Sequence, residues 1–264
     1  MAGSATAERG ARQQESSGPP LVRRLGPRRV RMIIVLALVV VLLGAGAVWV
    51  LYGSPWLRVE RVTVSGTSAL TPQQVREAAD VPVGSPLISV DTDAIEARLR
   101  TELPRIDSVD VVRSWPHGIG LKVTERTPVL LVRKGAKFVE VDDEGARFAT
   151  VSDAPKGVPL LEMAVSSSRS AAASLRRFGE DRLVREAVKA AGSLPAAVAR
   201  ETRLVKVRSY DDISLELGGG RTVAWGSAEK GAAKGRALTA LLKAAPAARH
   251  FDVSAPTAPA SSGS

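Results

Sequence analysis

The side chains able to do chemistry are few and scattered. Among 264 residues there are two histidines and no cysteine, which removes thiol catalysis, thiolate-bound zinc, iron–sulfur clusters and disulfides in one step. His117 and His250 lie far apart in the chain, and neither has an acid and a nucleophile grouped with it as in a triad. A lone histidine in a turn, as at 117, is ordinarily solvated. No G-x-S-x-G and no H-E-x-x-H occurs. Asp142-Asp143-Glu144 sets three carboxylates in a row, a composition that suits calcium or magnesium, but it lacks the spaced oxygen ligands and closing glutamate of a calcium loop. A glycine-terminated turn between two strands accounts for it with fewer assumptions. Gly218-Gly219-Gly220 precedes a β-type segment rather than a helix and has no following Lys-Ser/Thr, so it is not a phosphate loop. Carboxylates can still pair from distant positions. The legible residues nonetheless point to binding rather than catalysis, with no cofactor, metal or small-molecule substrate implied.

The elements that must position any binding surface begin with an anchor. Lys and Arg number 37 against 27 Asp and Glu, a formal net charge of +10. Half of that excess sits in residues 1–31, where seven Arg face Glu8 and Glu15. A membrane explains charge at that place better than nucleic acid does, and 4% aromatic residues is too few for base-stacking platforms. Met32 to Leu51 carries no charge, and 20 such residues in helix span roughly 30 Å, the hydrocarbon thickness of a bilayer. Gly44-Ala45-Gly46-Ala47 could imitate a signal-peptidase site, whereas Trp49, Tyr52 and Trp56 favour a retained helix with an interfacial aromatic belt. The Arg cluster before the span outweighs Arg58 and Arg61 after it, which places the N-terminus in the cytoplasm and the rest outside. Residues 1–31 then form a disordered basic cytoplasmic tail.

Residues 57–125 read as β-α-α-β-β. Leu57–Gly66 is rich in β-branched residues; Val62 and Val64 share a face, and the opposite parity of Leu57 and Val59 predicts a bulge near Glu60. Thr71-Pro72-Gln73-Gln74 predicts a capped helix start, with Val75, Ala78 and Ala79 facing inward. A second helix starts near Asp91 and Asp93 and carries Ile95, Leu99 and Leu103 on one side. Two strands follow, Ile106–Arg113 and Gly118–Glu125, joined by a turn in which Trp115 is expected to cover the sheet end.

Residues 126–254 predict a second α+β unit with a mainly antiparallel sheet. Strands are expected at Val129–Arg133, Lys137–Val141 and Arg147–Val151, then an apolar patch at Val158–Leu161 and a surface loop at Ser166–Ser168. Asp181–Leu194 reads as an amphipathic helix. Leu204–Ser209, Ile213–Leu217 and Arg221–Ser227 alternate as half-buried strands. Glu229–Ala245 is the last helix, with Lys230, Lys234, Arg236 and Lys243 on its solvated side. Arg249–Ser254 is a closing strand, and residues 255–264, rich in Pro, Ala and Ser, form a disordered tail.

Three stretches of the first unit are similar to the POTRA domain of the FtsQ/DivIB family of bacterial cell-division proteins. They are Val59-Glu-Arg-Val-Thr-Val-Ser-Gly66, Asp107-Ser-Val-Asp-Val-Val-Arg-Ser-Trp-Pro116 and Leu121-Lys-Val-Thr-Glu-Arg-Thr-Pro128. Looser matches continue through Val141-Asp-Asp-Glu-Gly145, Val158-Pro-Leu-Leu161, Trp225-Gly226, Lys234 and Phe251-Asp-Val253. The resemblance implies a non-enzymatic divisome scaffold that contacts FtsB-like and FtsL-like proteins and other divisome membrane proteins at the septum. It places partner binding on the edge of the last strand, here Phe251, Asp252, Val253, Ser254 and Ala255. Pro256 and Pro259 depart from a long edge strand, since proline cannot donate to a ladder. A POTRA-bearing adaptor of protein export or envelope assembly is the rival reading, although such proteins usually repeat the domain and end in a β-barrel.

Overall fold

The uncharged run forms a helix longer than itself. The computed structural model describes residues 27–164 and 169–263, and helix α1 runs from Pro27 to Val48, continued by a π turn at Trp49–Gly53. None of its residues is buried. Past Arg31 it is apolar on every face, and it is long and apolar enough to cross a membrane. Arg28, Arg29 and Arg31, expected in a disordered tail, are helical; the rest of that tail and the Ser166–Ser168 loop fall outside the described residues.

Residues from Pro55 onward form a separate compact unit. Its first part builds a three-stranded sheet from β1 (Arg61–Ser65), β2 (Ile106–Ser114) and β3 (Gly118–Glu125) in the order β1-β3-β2. β3 lies parallel to β1 and antiparallel to β2. Helices α2 (Pro72–Ala79) and α3 (Thr92–Glu102) supply Val75, Ala79, Ile95 and Leu99 to a core shared with Ile119 and Leu121. The start of α2 forms as its sequence predicts: the Gln74 amide donates to Thr71 Oγ1 at 3.2 Å and the Thr71 amide to Gln74 Oε1 at 2.8 Å. Asp91 caps α3 through the Ala94 amide at 3.0 Å.

One expectation is met in part and one fails here. Pro55–Leu57 is a single 3₁₀ turn and the strand begins only at Arg61. Leu57 and Val59 are buried ahead of the strand, and the amides of Glu60 and Arg61 both donate to His117 O, a doubled contact of the bulge kind where the parity changes. Trp115, expected as a cover, is 50% exposed, because its turn, with a cis Trp115–Pro116 bond, lies beyond the paired residues.

The remainder builds a nine-stranded sheet among the described residues. Its strands are β4 (Leu130–Lys134), β5 (Lys137–Val141), β6 (Arg147–Val151), β7 (Leu160–Met163), β8 (Thr202–Ser209), β9 (Asp212–Leu217), β10 (Thr222–Gly226), β11 (His250–Asp252) and β12 (Ala260–Ser262). The order is β12-β11-β10-β9-β8-β7-β4-β5-β6. Five of the eight pairings are antiparallel; β10 with β11, β7 with β4 and β7 with β8 are parallel. The patch around Val158–Leu161 thus becomes a strand in the middle of the sheet. A parallel neighbour needs a crossover, and between β7 and β8 it runs through α4 (Arg169–Phe178), α5 (Glu180–Gly192) and α6 (Ala196–Glu201). Helix α5 carries Leu183, Val184, Ala187 and Val188 into the core, beside Val205, Leu215, Val223 and Trp225. Helix α7 (Gly231–Ala244) connects β10 to β11.

Candidate functional site

The five residues expected at a partner-binding edge split by parity. β11 pairs with β10 in parallel, Val223 opposite Phe251 and Ala224 opposite Asp252. Phe251 and Val253 point into the core and are 2% and 0% exposed; Asp252, Ser254 and Ala255 are exposed. The period of two decides this: alternate side chains of a half-buried strand face opposite ways. Asp252 Oδ1 accepts from the Ser254 amide at 2.9 Å and the Ser254 hydroxyl at 2.7 Å, an Asx turn that ends the strand.

Beyond it the chain reverses. The Ala258 amide donates to Ala255 O at 3.0 Å, and Pro256 occupies the second position of that turn, where its fixed φ fits. β12 then lies antiparallel on β11, His250 opposite Ser262 and Asp252 opposite Ala260. The Arg249 amide donates to Gly263 O at 2.8 Å. Part of the segment expected to be a disordered tail, Ala260–Ser262, is therefore a strand, and the β11 edge expected to be open is covered by the chain itself. Pro256 and Pro259 do not shorten an edge; they bracket the return that builds a new one. β12 is exposed at all three residues. On one face, rows Thr222–His250–Ser262 and Ala224–Asp252–Ala260 line a groove of about 250 Å³.

Behind this edge lies a residue whose position overturns an expectation. Lys234, placed on the solvated side of the last helix, is 2% exposed. Its Nζ donates to Trp225 O at 2.9 Å and Ser227 O at 2.8 Å. Burial is the largest influence on this ammonium and lowers its pKa; Lys230 acts in the same direction, against Glu229, Asp211 and Asp252. Lys234 thereby fastens α7 to the end of β10. Gly226, with φ +75°, closes the same corner, and a Cβ there would meet Ser254 Cβ at 3.0 Å.

A second polar assembly joins the two sheets. Arg126 Nη1 donates to Asp142 Oδ2, with Asp107 at 3.7 Å and Glu144 at 3.8 Å. The bond to Asp142 is the main reason its guanidinium pKa is raised. Asp142 Oδ1 accepts from the Glu144 and Ala146 amides at 3.0 and 2.8 Å. The acidic triplet is therefore a turn, as expected, and its buried carboxylate has protein donors on both oxygens. Arg105 binds the buried Glu140 at 2.5 Å. Glu125 accepts amides of Ser68, Ala69 and Leu70 at 2.6 to 3.2 Å and the Ser68 hydroxyl at 3.1 Å. Burial raises its pKa, but these donors outweigh it and the net shift is downward. The sequence singled out Glu125 and Arg126 only within a motif; the roles of Arg105 and Glu140 carried no signal. His117, expected in solvent, is half-buried, its ring edge-on to Trp56.

Comparison with known proteins bears on the whole chain. A family model described as POTRA domain, FtsQ-type, matches residues 57–126. Cell division protein FtsQ of Streptomyces coelicolor is 75% identical over 264 residues, covering 100% of each chain. Cell division protein FtsQ of Mycobacteroides abscessus is 28% identical over 253 residues, 96% of this chain and 76% of that one. The solved major extracytoplasmic domain of DivIB from Geobacillus stearothermophilus, described as its trans isomer, is similar at 18% identity and a TM-score of 0.33, over 46% of this chain and 94% of that one.

Proposed function

This chain belongs to the FtsQ family of cell division proteins, and from that premise we propose that it is a non-enzymatic scaffold of the divisome. Anchored by α1 with its N-terminus in the cytoplasm, it holds its two sheets outside the membrane at the septum. There it links early division proteins to septal peptidoglycan synthesis through FtsB-like and FtsL-like partners. The observation that carries the binding site is the end of the long sheet. β12 is short, exposed at every residue and paired on one side only among the described residues, the geometry that accepts an added strand. The exposed Asp252, Ser254 and Ala255 lie beside it. Phe251 and Val253 support the edge from within, and charge at either would sit unpaired in the core.

The test is calorimetric titration of the full chain in detergent with the extracytoplasmic segment of the organism's FtsB-like protein. Deleting residues 256–264 removes β12 and is expected to weaken binding at least about tenfold, or 1.4 kcal/mol. Unchanged affinity in a variant that still unfolds cooperatively would move the site away from this edge.

A further inference from the structure

In the compact unit that begins at Pro55, the large apolar side chains that stay exposed are confined to its first part. Beyond Gly53, among the described residues, they are Trp56, Val83, Val112 and Trp115; the nine-stranded sheet leaves none. Three of them surround the segment by which the chain enters the unit. The amides of Glu60 and Arg61 donate to His117 O at 2.8 and 3.2 Å, which pins the turn bearing Trp115, and the His117 ring lies 6.5 Å from that of Trp56. On the other side the Val59 amide donates to Ser85 O at 2.9 Å, the Gly84 amide to Val59 O at 2.8 Å and Arg58 Nη1 to Gly84 O at 2.7 Å. Those bonds fix the loop bearing Val83.

The occupant of such a face is set by the tether. Only Ser54, Pro55 and Trp56 separate the end of the apolar helix at Gly53 from Leu57, which is already buried. Three residues reach about 10 Å at most, and the headgroup layer on each side of a bilayer is roughly 5–8 Å thick. Indole, with an apolar ring and one N–H donor, is the side chain that collects in that layer. Arg58 and Arg61 accompany it against one acid, Glu60, a balance suited to anionic lipid.

We infer that Trp56, Val83 and Trp115 form a lipid-docking face that rests in the headgroup layer of the bilayer spanned by α1. The inference rests on α1 being a membrane span. Docking converts a three-residue tether, which alone would let the unit swing, into a seat with three points of contact.

The absence of cysteine makes the test direct. A single nitroxide at Val83→Cys leaves both indoles in place, and one at Ala136→Cys, exposed in the turn between β4 and β5, serves as reference. The full chain is placed in nanodiscs of mixed zwitterionic and anionic lipid, and collisions with oxygen and with a polar nickel chelate are measured. The oxygen-to-nickel ratio at 83 is expected to exceed that at 136 severalfold, and to fall to the reference value when Trp56→Ser and Trp115→Ser are added. Equal ratios at 83 and 136 would overturn the inference, as would protection at 83 that arises only on adding an FtsB-like segment. Failure of the chain to elute with the nanodiscs would remove the membrane span, and this face with it.

Discussion

Lys234 combines burial with two main-chain acceptors, and both properties are measurable. Lys234→Met keeps most of the stem but strands the carbonyls of Trp225 and Ser227; a loss of about 2–4 kcal/mol in urea unfolding is expected. Because burial lowers the folded-state pKa below the ordinary 10.5, the unfolded chain binds more protons between those two values. Stability contributed by this group therefore rises with pH across that alkaline window, and the Met variant lacks the rise. Glu125 has the opposite sign. Its folded pKa lies below 4.5, so its contribution is complete above pH 4.5 and disappears as pH falls through the folded value. Glu125→Gln is expected to lower stability at neutral pH and to flatten the acid limb of a stability–pH curve. Neither role was legible from spacing. Lys234 falls in a helix with three other basic residues, and helical periodicity alone put all four on one wet face.

At the scale of elements, what the sequence made legible follows from how each element is held. β8, β9 and β10 alternate cleanly because one face is buried, and the Thr71–Gln74 box announces α2 by a local exchange of hydrogen bonds. β7 is four residues in the interior of a sheet, too short to show a period. β12 is Ala-Ser-Ser, with no apolar residue larger than alanine; main-chain pairing forms it, and main-chain pairing leaves no trace in composition. Helices α4 and α6 escape the sequence because they are short, 10 and 6 residues, and few of their inward side chains are larger than alanine. The partner-edge assignment inherited this: it took the last strand that composition reveals as the edge and could not see that a further strand follows. Gly226 is the element-scale test of the corner. At φ +75° an Ala carries the left-handed penalty of about 1–2 kcal/mol and presses on Ser254, so Gly226→Ala is expected to lower the thermal midpoint and loosen hydrogen-exchange protection of β11.

Across the whole molecule, the motif Glu125-Arg126 is a junction. Glu125 ties the end of β3 back to the loop before α2, and the next residue reaches forward to Asp142 in the long sheet. Removing one partner of a buried ion pair leaves the other uncompensated, so Arg126→Ala is expected to cost about 3 kcal/mol and to hasten proteolysis between residues 126 and 129. Adding Asp142→Ala should cost less than the sum of the single changes, as a double-mutant cycle would record.

The strand order of the long sheet carries one more consequence. After β7 docks on β4, every later strand joins beside the one made just before it, from β8 through to β12. A chain delivered N-terminus first therefore always meets a finished edge, and no strand must be threaded between two already paired. Assembly can keep pace with delivery, one row at a time. The last row laid down among these strands is β12, so the surface proposed for partners comes into being only after every other strand of the sheet is in place.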